Sequence, residues 1–223
     1  MTEKRVKVPT RALTKDELQI VRDYFSSLRA GLVRFVEVNR LYLLFKRDEL
    51  FFEFGVRLGF RLNELTSIKW SQVYDFEKDC VRKEITIHKT NMKGKKKSRV
   101  CVISKKLEEY IADFKADWYS VYLRDLTPDD YLFQGIRSKK NTRIHNCTLH
   151  KRLCAMFKEL DFEDQEKLSA HALRKTFCTR VYYDVVDKDI IACAQITGHS
   201  SPANLMYYIN PDKQKFDDKM RDM

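Results

Sequence analysis

Apolar positions near the start of the chain recur at helical spacing. Leu18, Val21, Phe25 and Leu28 follow Thr14-Lys15-Asp16-Glu17, in which Thr and Glu stand three apart as in a capping box. A helix over about 15–29 is predicted. Residues 32–58 are dense in Leu, Phe and Val with charges interleaved, the pattern of one or two helices buried in a core, until Gly55 and Gly59 loosen it. Residues 61–68 read as a short helix ending at Trp70.

From Trp70 the period drops to two. VYDF, KEITIH and SRVCVI alternate apolar and polar positions and are rich in β-branched and aromatic residues, which predicts three antiparallel strands. The basic segment TNMKGKKK turns between the last two. Helical spacing returns at about 105–123, 147–159, 170–183 and 187–196, with a Pro128-Asp129-Asp130 turn and a basic loop at 137–143 between. The expected class is mainly α with a small three-stranded antiparallel β-sheet (α+β). No repeat, low-complexity tract or Pro/Gly linker divides the chain. It reads as one domain at 14–208 with a basic arm at 1–13 and a mixed-charge tail at 209–223.

Composition adds a partner. Of 223 residues, 43 are Lys or Arg and 32 Asp or Glu, giving a formal charge of +11, and a polyanion, nucleic acid first, is the expected ligand. Arg34, Glu37, Arg40, Lys46 and Arg47 interrupt the richest apolar stretch, so no run reaches the roughly 18 residues that cross a bilayer. The start, MTEKRVKVPTR, lacks the apolar core of a secretory signal, and the expected location is inside a cell, with the DNA. The six cysteines contain no CxxC pair, sit mostly among apolar neighbours and read as reduced, buried thiols. His145, Cys147, His150 and Cys154 share helical spacings, but metal sites usually draw ligands from separate elements, so a structural zinc is disfavoured.

Four short segments carry candidate chemistry. In Gly59-Phe60-Arg61-Leu62-Asn63-Glu64-Leu65, Glu64 lies one turn beyond Arg61 and can brace its guanidinium. In His171-Ala172-Leu173-Arg174, a proton-transfer group and a bidentate anion fork share one helix face. Gly198-His199-Ser200-Ser201-Pro202 is a turn into a short helix, followed by Tyr207-Tyr208. The last is the hairpin with His88-Lys89-Thr90 and the cations Lys93, Lys95, Lys96, Lys97 and Arg99. Each segment alone also fits a solvated, amphipathic surface.

Together and in this order they resemble the boxes of the tyrosine recombinase, or phage integrase, family over about residues 10–208. GFRLNELTSIKW is similar to the first arginine box, ITIHKT with the basic turn to the lysine hairpin, HALRKTF to the second box, and GHSSPANLMYY to the third. Two positions depart from the usual pattern: Ile196-Thr197 stands where a leucine usually precedes Gly-His, and Ala172 where an acidic residue is common.

The resemblance implies a catalytic set. Arg61 and Arg174 would hold the non-bridging oxygens of the scissile phosphate, and His199 would donate a further hydrogen bond to it. His171 would take or share the proton of the nucleophile Tyr208, which the nine-residue spacing from His199 selects over Tyr207. Lys89 would protonate the departing 5′-oxygen, although Lys93 and Lys95 occupy the same turn. The products would be a 3′-phosphotyrosyl link and a free 5′-hydroxyl, with neither metal nor nucleotide cofactor. Phosphate-directed DNA contacts are expected from Lys93, Lys95, Lys96, Lys97, Arg99, Arg137, Lys139, Lys140, Arg143, Lys151, Arg152 and Lys175.

The implied role is a site-specific recombinase or integrase of a virus or other mobile element, assembling on double-stranded DNA as a dimer or tetramer. Two alternatives stay open: a type IB topoisomerase-like DNA-relaxing enzyme, and a non-catalytic basic DNA-binding module. The family commonly carries a separate DNA-clamping domain before the catalytic one, and this stretch contains none.

Overall fold

The computed structural model describes residues 9–32, 40–88, 98–118, 124–135, 141–209 and 221. Helix α1 spans Lys15–Leu32. Its start is the predicted capping box, with the Glu17 N–H donating to Thr14 Oγ1 at 3.1 Å and the Thr14 N–H donating to Glu17 Oε2 at 2.8 Å. Leu18, Val21 and Phe25 face the core. Packing begins before the helix: Ala12 and Leu13 are buried, and the Leu13 N–H donates to Thr176 Oγ1 at 2.8 Å. Residues 11–13 are thus part of the domain, while 1–8 of the expected arm lie outside the described residues.

Helix α2, Arg40–Leu58, is the central element, packed against α1 and against the later helices at Lys105–Ala116 and Ala170–Arg180. The buried charges Glu53 and Lys46 stay inside because both are paired. Buried Glu53 accepts from Arg22 at 2.8 Å and pairs with Arg57, and Lys46 lies 2.8 Å from Asp113 and also binds Asp117. The sequence pattern of an apolar helix with charges is therefore a buried helix with satisfied ion pairs.

After α2 come α3, Leu62–Thr66, and a 3₁₀ turn at Trp70–Gln72. The three expected strands fall where alternation placed them, a further short strand at Cys80–Val81 was not expected, and the single three-stranded sheet resolves into two ribbons among the described residues. β1, Tyr74–Asp75, pairs antiparallel with β2, Cys80–Val81; β3, Glu84–Ile87, pairs antiparallel with β4, Arg99–Val102. VYDF turns back on the adjacent Cys80–Val81 instead of reaching the β3–β4 pair, because a local hairpin closes at lower entropic cost. The register Ile87↔Arg99 and Ile85↔Cys101 puts Arg99 and Cys101 on the inward face with Ile85 and Ile87, and leaves Val100 and Val102 exposed.

Helix α4, Lys105–Ala116, covers this region, with Trp70 stacked on Phe114 at 6.1 Å and edge-on to Trp118 at 5.5 Å. Helices α5, Asn146–Glu159, and α6, Ala170–Arg180, complete the main core. α6 passes into a wider π-helical turn at Val181–Val185. Helix α7, Ile190–Thr197, starts later than the expected 187 because Asp187 and Lys188 adopt positive φ, and Asp189 then caps it. α8, Pro202–Met206, has Pro202 in its first turn as anticipated. His145 accepts from the Cys147 N–H at 3.2 Å, an N-cap role for a residue weighed above as a metal ligand. Among the described residues, no helix is long and apolar enough to cross a membrane.

Candidate active site

The site forms where the ends of α2, α6 and α7 meet. Helix α2 stops at Gly59, whose φ of +62° is a left-handed conformation that a side chain would strain. A Cβ there would also lie 2.1 Å from Phe177 Cδ1, so only glycine lets the chain turn this close to α6. The turn places Arg61 at the start of α3. Glu64, fully buried one turn on, takes the Arg61 backbone N–H at 2.8 Å and its guanidinium at 3.1 Å, which is the brace expected from the spacing.

Arg174 comes from α6, whose N-cap Ser169 accepts from the His171 N–H at 3.2 Å. Its guanidinium is fully buried, donating to the Gly59 carbonyl, to the Thr197 carbonyl at 3.2 Å and to His199 Nε2 at 3.1 Å. His199 reaches this point because α7 ends in a left-handed Gly198, φ +69°, and the His199 N–H then returns to the Ala194 carbonyl at 2.9 Å.

Tyr208 follows α8, held by its N–H on the Leu205 carbonyl at 2.7 Å and by the Thr179 hydroxyl on its own carbonyl at 3.3 Å. Its ring lies 5.1 Å from the His171 ring and 4.7 Å from the His199 ring, with the Arg174 Cζ 5.3 Å away over its face. Tyr207, by contrast, is 77% exposed. Side chains separated by over a hundred residues therefore share one small volume. Lys89 lies outside the described residues.

Charge in this volume is unbalanced. Arg174 feels the positive fields of Arg61 and Arg99, opposed by the carboxylate of Glu64. Both histidines respond. Burial, then the charges of Arg174, Arg61, Arg99 and His171, push His199 down to about 3. His171 is solvent-exposed at the edge of the site, and partial desolvation of its ring, then the charges of Arg174, Arg61 and Lys175, lower it from the usual histidine range. At neutral pH both imidazoles are uncharged and can accept a proton, beside guanidiniums suited to an anion.

Arg99 corrects an expectation. Placed by its charge among the DNA-facing cations, it is 9% exposed and turned inward, its Nη1 donating to the Thr197 carbonyl at 2.7 Å and its guanidinium 5.0 Å from the Phe60 ring. Its Nη2 lies 3.6 Å from Glu64 Oε2. Strand alternation is the signal that identifies it, since Arg99 occupies the register of buried Ile103.

Arg143 is exposed and also donates to Thr66 Oγ1 at 3.0 Å and to Asn63, tying α3 to the segment before α5. Arg152 pairs with Asp48. Lys151 is exposed and Lys175 half-buried, while Lys93, Lys95, Lys96, Lys97, Arg137, Lys139 and Lys140 lie outside the described residues. Thr197, fully buried, had no signal in the sequence beyond its departure from leucine; its carbonyl receives both Arg174 and Arg99.

The chain as a whole has relatives. Residues 33–215 match the family model of the phage integrase family, and the chain belongs to that family. It is 28% identical over 169 residues to the probable integrase/recombinase YoeC of Bacillus subtilis (strain 168), covering 75% of this chain and 80% of that protein. Among solved structures it is similar to XerA recombinase, with a TM-score of 0.64 and 22% identity over 97% of this chain and 66% of that one. It is likewise similar to XerH site-specific recombinase bound to palindromic difH substrate in a post-cleavage complex, with a TM-score of 0.67 and 24% identity over 97% of this chain and 53% of that one. The chain thus spans a little over half to about two thirds of those solved chains.

Proposed function

We propose that this chain is the catalytic unit of a site-specific DNA recombinase or integrase that cuts and rejoins duplex DNA through a 3′-phosphotyrosyl intermediate. The observation that carries this reading is Tyr208 packed against two histidine rings and a buried arginine. A phenol near its ordinary pKa of about 10 is a weak nucleophile at neutral pH, and a neighbouring base with positive charge around it makes the oxyanion accessible.

In the proposed reaction Arg61 and Arg174 hold the non-bridging oxygens of the scissile phosphodiester. His171 takes the Tyr208 proton as the phenolic oxygen forms its bond to phosphorus. The bond from phosphorus to the 5′-oxygen breaks, and Lys89 gives that oxygen a proton, leaving a 5′-hydroxyl. Guanidiniums already in place lower the cost of the charge that builds on the equatorial oxygens. The ester energy is conserved in the covalent link, so a second 5′-hydroxyl can reverse the step. Assembly as a dimer or tetramer on DNA, and origin in a virus or other mobile element, belong to the same proposal.

The test is a pool of nicked duplexes with randomised flanks, on which cleavage beside the nick releases a short strand and traps the adduct. Wild type and Tyr207→Phe are expected to give covalent protein–DNA species on a denaturing gel, and Tyr208→Phe none. An adduct that persists in Tyr208→Phe, or none from wild type, overturns the proposal.

A further inference from the structure

Behind the groups assigned to chemistry lies a fully buried hydroxyl with two partners. Thr197 Oγ1 is 2.7 Å from the Cys193 carbonyl and 2.6 Å from His199 Nδ1. A hydroxyl has one proton, and a carbonyl can only accept. The Thr197 proton is therefore committed to Cys193, and the short contact with Nδ1 is a hydrogen bond only if Nδ1 carries a proton and donates. Nε2 gives the same answer independently, because the Arg174 guanidinium can only donate, so the Nε2 it meets at 3.1 Å must offer its lone pair.

We infer that Thr197 is a positioning residue for the reaction, its hydroxyl holding His199 as the Nδ1–H tautomer with the Nε2 lone pair presented to Arg174 beside the Tyr208 ring. This rests on the recombinase reading above only for its effect on catalysis. While Thr197 holds Nδ1–H, His199 accepts at Nε2, and it becomes a donor to a phosphate oxygen only by gaining a second proton. The charged and titratable groups facing it are Arg174 and His171 from α6, Arg61 at the start of α3, Arg99 from β4, and Tyr208. The Thr197 carbonyl meanwhile receives Arg174 and Arg99, so one residue sets the orientation of three side chains.

Two variants separate the hydroxyl from packing. Thr197→Val keeps the shape and removes the hydroxyl, and Thr197→Ser keeps the hydroxyl. In the ¹⁵N-labelled chain, with the His199 signals assigned by their loss in His199→Gln, wild type and Thr197→Ser should show a protonated Nδ1 and a bare Nε2. Thr197→Val should show a tautomer mixture.

Adduct formation on the nicked pool should slow about tenfold in Thr197→Val, the scale of one lost buried hydrogen bond, and recover in Thr197→Ser. A proton on Nε2 in wild type, or a Thr197→Val chain with unchanged tautomer and rate, overturns the inference. If Thr197→Val does not fold, the wild-type tautomer decides it: a protonated Nδ1 with a bare Nε2 supports the inference, and a proton on Nε2 overturns it. If wild type forms no adduct while the histidine signals respond as described, the recombinase reading fails and Thr197 control of His199 stands.

Discussion

Glu64→Gln tests the electrostatic account of the site most sharply. The substitution keeps the shape of a fully buried side chain and removes the one negative charge shared by Arg61, 3.1 Å away, and Arg99, 3.6 Å away. Removing one partner of a buried ion pair costs about 3–5 kcal/mol. Arg61 is 29% exposed and partly solvated, which favours the low end, about 3 kcal/mol. For a domain of this size, each kcal/mol lowers Tm by about 2–4 °C, so a loss of roughly 6–12 °C is expected.

Thermal unfolding in a phosphate-free buffer of low ionic strength measures it. A second arm adds sulfate. An anion that binds the folded state stabilises it by mass action, and the variant carries more uncompensated positive charge. Its Tm should therefore rise more steeply with sulfate than that of wild type. A loss of less than about 2 °C, or equal sulfate responses, would refute the claim that Glu64 offsets the guanidinium cluster.

Gly59→Ala should destabilise by about 2–4 kcal/mol, combining the left-handed penalty with the collision against Phe177, as read from urea midpoints. Phe177→Leu in the same chain should return part of that loss, and strictly additive effects would show that the collision is not the cause. His199 fixes the sign of an acid effect. Its folded-state pKa of about 3 lies below the ordinary 6.5, so the unfolded chain takes up a proton that the folded chain refuses. Stability should decline as pH falls from 6.5 towards 3, less steeply in His199→Gln, and parallel profiles would contradict the assignment. Neutralising Lys95, Lys96 and Lys97 together should weaken DNA binding and flatten its dependence on salt in a titration.

Local patterns were the most legible part of this chain. The Thr14–Glu17 capping box, the glycine turn before Arg61 and the Pro202 helix start all depend on neighbours in sequence, and all appear where spacing placed them. Arg174 and His199 could be linked in advance only through the resemblance, since 25 residues separate two groups that share a hydrogen bond.

Arg99 was misplaced because its charge outweighed the strand alternation that points it inward. The division of the strands into two ribbons was hidden because alternation reports a face and not a partner. Thr197 was illegible for a different reason: its importance lies in one hydroxyl direction and one carbonyl, which no residue pattern encodes.

The central claim is that a single phenolic oxygen forms the bond to DNA phosphorus. Fragment-ion mass spectrometry of the trapped adduct, after digestion of protein and DNA, reads that bond directly in the peptide containing both Tyr207 and Tyr208. The nucleotide mass is expected on Tyr208 alone. A nucleotide on Tyr207, on a serine of the Gly198–Pro202 turn, or on any other side chain would contradict it.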